Sequence, residues 1–152
     1  MLPEVEKLID AILDEADSID DLIDAMREQK DAMRDRDTEA VNQLMNETRD
    51  LSFEVQKYET LRNNLAGKLA VKLSCEPRVS SLASAMIDDN ERKEFNEAAK
   101  KLSQSVFALK AEIMIISGLI DQNEKYTSML LSEWRRLNGD EIAQSGSADF
   151  RG

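Results

Sequence analysis

The sequence predicts an all-α protein, an elongated antiparallel three-helix bundle of coiled-coil-like character with one short connector helix. Three observations carry this prediction. Apolar residues recur at alternating steps of three and four over three long stretches, the period of a helix face packed on other helices. The composition, 41% hydrophobic and 34% charged with five glycines and two prolines in 152 residues, favours straight-chain residues that lose little rotamer freedom in a helix. No alternating apolar/polar run is bounded by turn residues, so no strand is predicted.

The first helix opens at Pro3, tolerated there because an N–H in the first turn has no helical partner. Its register is Val5, Ile9, Ile12, Ala16, Ile19, Ile23, Met26, Lys30, Met33, and Leu8, Leu13 and Leu22 widen the stripe towards that of a bundle helix. Asp35-Arg36-Asp37-Thr38 interrupts it, with Asp37 or Thr38 able to cap the next helix. The second register runs Val41, Leu44, Thr48, Leu51, Val55, Tyr58, Arg62, Leu65, Leu69, and Glu76-Pro77 is expected to end it. It survives Gly67, which costs about 1 kcal/mol relative to Ala in a helix interior.

A short connector helix is expected next, capped by Ser80 or Ser81 and carrying Leu82, Ala85, Met86 and Ile87. Asp88, Asp89 and Asn90 then offer a new cap, and Glu91 is placed to complete a capping box from Asp88. The last helix is the longest, with register Phe95, Ala98, Leu102, Val106, Leu109, Ile113, Ile116, Ile120, Asn123, Thr127, Leu130, Trp134, Leu137 and Gly139 at the expected left-handed cap. At ~1.5 Å per residue the last and first helices would be on the order of 70 Å and 50 Å long. The short link between helices one and two makes them antiparallel neighbours. Residues 1–138 are thus expected to form the bundle, and 139–152, rich in Ser, Gly and Asp, a flexible C-terminal tail.

Charge and composition exclude several functions. The net charge is −11, and residues 1–37 hold 13 acidic against 5 basic side chains. Such a surface repels phosphate backbones and anionic lipid, so neither nucleic acid nor a membrane surface is an expected partner. The simplest reading of the acidic excess is a solvated helix face. The one cysteine, Cys75, forms no intrachain disulfide framework, fits a reducing compartment, and is expected small and partly buried at a helix end. The start, Met1-Leu2-Pro3-Glu4, lacks the basic and apolar regions of a secretory signal. The longest apolar cluster, Ile113-Met114-Ile115-Ile116, is short of a membrane span, so no membrane insertion is expected.

Catalytic chemistry finds little to work with. Without histidine the commonest general base and metal ligand are both missing. The glycines are scattered rather than gathered in a phosphate loop, and most helical carboxylates fall outside the seams. The chain is expected to be no enzyme, with no catalytic residue, no metal site and no cofactor.

Two features stand above this background. Residues 109–120 are apolar nearly all round, so they either fill the crowded middle of the bundle or keep a surface for a partner segment, with Met114 and Met129 as adaptable contacts. Asn123 stands in the seam, where a core amide either fixes register or takes part in recognition.

Several stretches together resemble a known family. They are Asp24-Ala25-Met26-Arg27, the break at Arg36-Asp37-Thr38-Glu39-Ala40-Val41-Asn42-Gln43-Leu44, the run Tyr58-Glu59-Thr60-Leu61-Arg62-Asn63-Asn64-Leu65, and a long third helix with Asn123 near its end. Over about residues 1–138 this pattern resembles the FlgN family of flagellar export chaperones. The resemblance implies a cytoplasmic chaperone of hook-filament junction proteins, usually called FlgK and FlgL, which holds their disordered terminal segments. It also implies delivery of these clients to the gate of the flagellar type III export apparatus.

In the family the final helix captures the client, which places Met114, Ile115, Leu119, Tyr126 and Met129 as the expected partner-binding residues. The ending Asp149-Phe150-Arg151-Gly152 is similar to an aromatic-glycine finish, with Phe150 where a tyrosine is expected. A coiled-coil structural or oligomerisation protein, or an adaptor that sequesters a regulator's helix, would use the same groove physics. The widened seam serves a monomer or a homo-oligomer equally well.

Overall fold

Four helices follow one another in the computed structural model, which describes residues 1–121: α1 (Pro3–Arg34), α2 (Thr38–Leu73), α3 (Val79–Ala85) and α4 (Asp89–Asp121). No strand occurs among the described residues. The helix boundaries follow local chemistry. Asp37 caps α2 by accepting the Ala40 N–H at 3.1 Å, and the α1–α2 turn is closed by Arg36 in the left-handed region at φ 57°. There the Asp37 N–H reaches back to the Ala32 carbonyl at 3.0 Å.

The end of α2 repeats this device and corrects the sequence expectation. The helix stops at Leu73, ahead of Glu76-Pro77, because Ser74 turns left-handed at φ 55° and the Cys75 N–H bonds the Ala70 carbonyl at 3.0 Å. In α3, Ser80 and Ser81 lie inside the helix; Arg78 is the N-cap, without a side-chain cap bond. Met86 and Ile87 fall beyond its end. The Arg92 guanidinium holds that end, donating to the Ala83 carbonyl at 3.0 Å and the Met86 carbonyl at 2.5 Å.

Asp88 does accept N–H bonds from Asn90 and Glu91, at 2.8 Å and 3.3 Å. The expected capping box is only half present, however. The Glu91 carboxylate accepts the Leu2 N–H at 2.8 Å, tying the start of α4 to the start of α1.

Side-chain pairs fix the topology. Lys72 meets Glu4 at 2.7 Å and Arg62 meets Glu15 at 2.6 Å, so α1 and α2 run antiparallel. Lys101 meets Asp17 at 3.1 Å, Ser105 meets Asp20 at 2.8 Å and Arg27 meets Glu112 at 2.9 Å, so α4 runs parallel to α1 at a nearly constant offset. Helix α1 packs along both α2 and α4, while α2 and α4 share no extended contact among the described residues. The short α3 bridges α2 and α4.

That central position explains the burial of α1. Half of its 32 residues are buried, against ten of the 36 in α2. By helical periodicity, Ile9, Ala16 and Ile23 lie on the side of Asp20 and Arg27, facing α4; Ala11, Ser18, Leu22 and Gln29 lie on the side of Glu15, facing α2. Ile12, Ile19 and Met26 sit between and serve both interfaces. The remaining face carries Asp10, Asp14, Asp17, Asp21, Asp24, Glu28 and Asp31, all exposed. The acidic excess is a solvated stripe.

Helix α2 is rolled relative to its expected register. Val41, Thr48, Val55, Arg62 and Leu69 are buried as expected, but the alternate positions are Met45, Ser52, Glu59 and Ala66 rather than Leu44, Leu51, Tyr58 and Leu65. Ser52 and Ala66 are small and permit close approach of the two helices. The roll also carries Arg62 inward to Glu15. Leu44, Leu51 and Leu65 become half-buried flanking residues packed on the core.

The register of α4 is as expected from Phe95 to Ile116: Phe95, Ala98, Leu102, Val106, Leu109, Ile113 and Ile116 are all buried. By length and composition, Asp89–Leu119 is apolar enough to cross a membrane, a longer reach than the Ile113–Ile116 cluster alone conveys. Its buried seam packs along α1, as the core helix of a helical protein does.

Candidate functional site

Helix α4 has more apolar side chains than its contacts cover. Phe107 is 77% exposed, Met114 72% and Ile115 48%. Ala111 and Gly118 are exposed as well. Steps of four, three and one, then three, place Phe107, Ala111, Met114, Ile115 and Gly118 on one helix face, opposite the seam of Leu109, Ile113 and Ile116. A single exposed Leu or Met needs no explanation; a contiguous outward stripe marks an interaction surface.

An ion pair orients this face. Glu112 is 6% exposed and accepts from Arg27 Nε at 2.9 Å, with Lys30 Nζ 3.7 Å from its other oxygen. The bond to Glu112 pushes the Arg27 guanidinium further up from its already high value. With Glu112 turned to α1, the residue two positions later, Met114, is carried to the far side of the helix, and Ile115 stands at the edge of that outward face, nearer to Glu112 and less exposed than Met114. The offset of 85 residues between Arg27 and Glu112 sets Leu119 level with Arg34, the last residue of α1. The stripe therefore lies at the end of the bundle where α1 finishes.

Of the residues expected from the sequence to bind a partner, Met114 and Ile115 come together on this outward face, and Leu119 is half-buried against the core beside it. Tyr126, Met129 and the seam residue Asn123 lie outside the described residues. Phe107 escaped the sequence reading because it precedes the apolar run. Its signal was its place seven residues before Met114, two turns back on the same face.

The polar interior was missed as well. Arg62 was legible only as a member of an apolar register, while Glu15 belongs to a second stripe of α1: Leu8, Ile12, Glu15, Ile19, Leu22, Met26, Gln29 and Met33, all buried. Among the described residues no cluster of three metal-ligating side chains occurs. Cys75 is half-buried and packs against the core.

The family model described as FlgN protein matches residues 1–143. No curated protein and no solved structure matches the chain. Because the match spans all four helices, including the α4 face just described, the chain belongs to the FlgN family.

Proposed function

We propose that this protein is a cytoplasmic chaperone of flagellar type III export that holds disordered terminal segments of FlgK- and FlgL-like hook-filament junction proteins and delivers them to the export gate. The observation that carries this reading is the outward stripe of Phe107, Met114 and Ile115 on α4. A disordered segment gains helix and buries its apolar face when it lies along such a stripe, and burial contributes roughly 25 cal/mol per Å² against the cost of ordering. The thioether of Met114 adapts to differently shaped partners, which suits a chaperone of more than one client. Tyr126 and Met129, further along the chain, extend the proposed surface in sequence.

Calorimetric titration with a terminal peptide of a junction protein tests the reading. The variant Met114→Lys/Ile115→Glu keeps the core residues Leu109, Ile113 and Ile116, so its melting temperature should match that of the parent. Peptide affinity should fall about 10-fold or more, because each introduced charge must be desolvated without a partner. Unchanged affinity would move the client elsewhere. A loss of self-association with no peptide binding in the parent would instead make the stripe an oligomerisation surface.

A further inference from the structure

A second outward face differs in chemistry from the rest of the molecule. Along α2 the exposed stripe Lys57, Leu61, Asn64, Lys68 and Val71 repeats at steps of four and three. Leu61 is 44% exposed and Val71 81%. Between Lys57 and Ser74 the single carboxylate is Glu59, which is buried, so every exposed charge along this stretch is positive. Lys72 is paired with Glu4, whereas Lys57 and Lys68 form no ion pair among the described residues. In a chain of net charge −11 this is a local inversion.

The face also stands apart from the stripe on α4. Lys72 meets Glu4 near the beginning of α1, and Glu112 meets Arg27 near its end. The intervening length of α1 is about 35 Å at the rise of an α-helix. The two apolar faces thus lie on different helices and towards opposite ends of the bundle, and two partners can occupy them together.

We infer that the Lys57–Val71 face of α2 is a second docking surface, and that its occupant is an acidic amphipathic helix of a partner protein. Leu61 and Val71 supply the apolar contact, while Lys57 and Lys68 select carboxylates beside the partner's apolar stripe. A basic partner is disfavoured by the same two lysines. A second copy of this chain is a poorer occupant, because the exposed residues of its acidic α1 from Asp10 to Asp31 are all carboxylates except Arg27, with no apolar residue among them.

The test uses the full chain and two synthetic helical peptides with the same leucine stripe, flanked by glutamates in one and by lysines in the other. On titration with the glutamate peptide, amide resonances of α2 between Lys57 and Val71 should shift, and the affinity should fall as salt is raised. The lysine peptide should bind this face at least 10-fold more weakly. Lys57→Glu/Lys68→Glu should weaken the glutamate peptide by about 10-fold or more while leaving melting, and binding of a junction-protein peptide to α4, unchanged. Equal binding of both peptides, shifts confined to α4, or an unaffected double variant would overturn the inference. So would concentration-dependent self-association that the double variant abolishes, which would make a second copy the occupant. Because the junction-protein peptide is read separately, failure on α2 leaves the proposal for α4 standing, and the reverse.

Discussion

The Arg62 guanidinium donates from Nε to Oε1 of Glu15 at 2.6 Å and from a terminal nitrogen to Oε2 at 3.4 Å, with both side chains withdrawn from solvent between α1 and α2. Breaking such a pair from one side strands a buried charge. Arg62→Met should destabilise the fold by about 3–5 kcal/mol, and adding Glu15→Leu should recover a large part of that loss. Urea unfolding of the parent, both single variants and the double variant measures the coupling. Additive losses would show that the pair does not act as a unit.

Gln29 sits in the same interface, fully buried, and neither its amide nitrogen nor its amide oxygen has a hydrogen-bond partner among the described residues. A buried amide left in that state costs about 1–3 kcal/mol. Gln29→Met conserves length and removes the polar atoms, so it should raise stability by about 1 kcal/mol or more. A lower urea midpoint in this variant would mean that the amide is satisfied in solution.

Two helix ends place non-glycine residues in the left-handed region, Arg36 and Ser74. Replacing either by glycine removes a steric cost of about 1 kcal/mol. Gly67 offers the reverse case, since an added Cβ meets nothing within 4 Å and the residue lies in the interior of α2. Arg36→Gly, Ser74→Gly and Gly67→Ala should each raise the melting temperature, and thermal scans of the three variants check the sign.

The hydrogen bond from Lys72 holds the Glu4 carboxyl below its ordinary value of 4.5, helped by the backbone and by the charges of Lys72 and Lys7. A carboxyl depressed in the folded state stabilises the fold above its unfolded value, and that contribution is lost as pH falls through the folded value. Lys72→Met should therefore return the Glu4 titration, followed by carboxyl carbon resonances, towards 4.5. It should also flatten that part of the acid dependence of stability.

Much of the fold was legible because the apolar repeat is strong where burial is one-sided. In α4 every expected seam residue from Phe95 to Ile116 is buried, and the α1–α2 break falls at Asp35–Asp37 as its capping chemistry requires. The roll of α2 was hidden because Leu44, Leu51 and Leu65 look more like core than Ser52 or Glu59 does. Their hydrophobicity says that they avoid water, but not which flank of the contact covers them. The pairing of Glu15 with Arg62 joins positions 47 residues apart, and a repeat read along one helix at a time carries no information on such partners. For the α4 face, the excess of apolar residues was visible in sequence, whereas the choice of Met114 as an outward member required the anchoring of Glu112 to Arg27 and Lys30.

The parallel pairing of α1 with α4 has a consequence for the order of assembly. Contacts such as Asp20–Ser105 close loops of 85 residues, while α1 and α2 are joined by the short turn around Arg36. Loop closure grows more unfavourable with length, so the α1–α2 hairpin should form first and α4 should dock onto it later. During synthesis Ile9, Ala16 and Ile23 wait uncovered while some 80 further residues are added, several seconds at ribosomal rates of about 5–20 residues per second. In that interval a member of a family of export chaperones presents an apolar segment of its own.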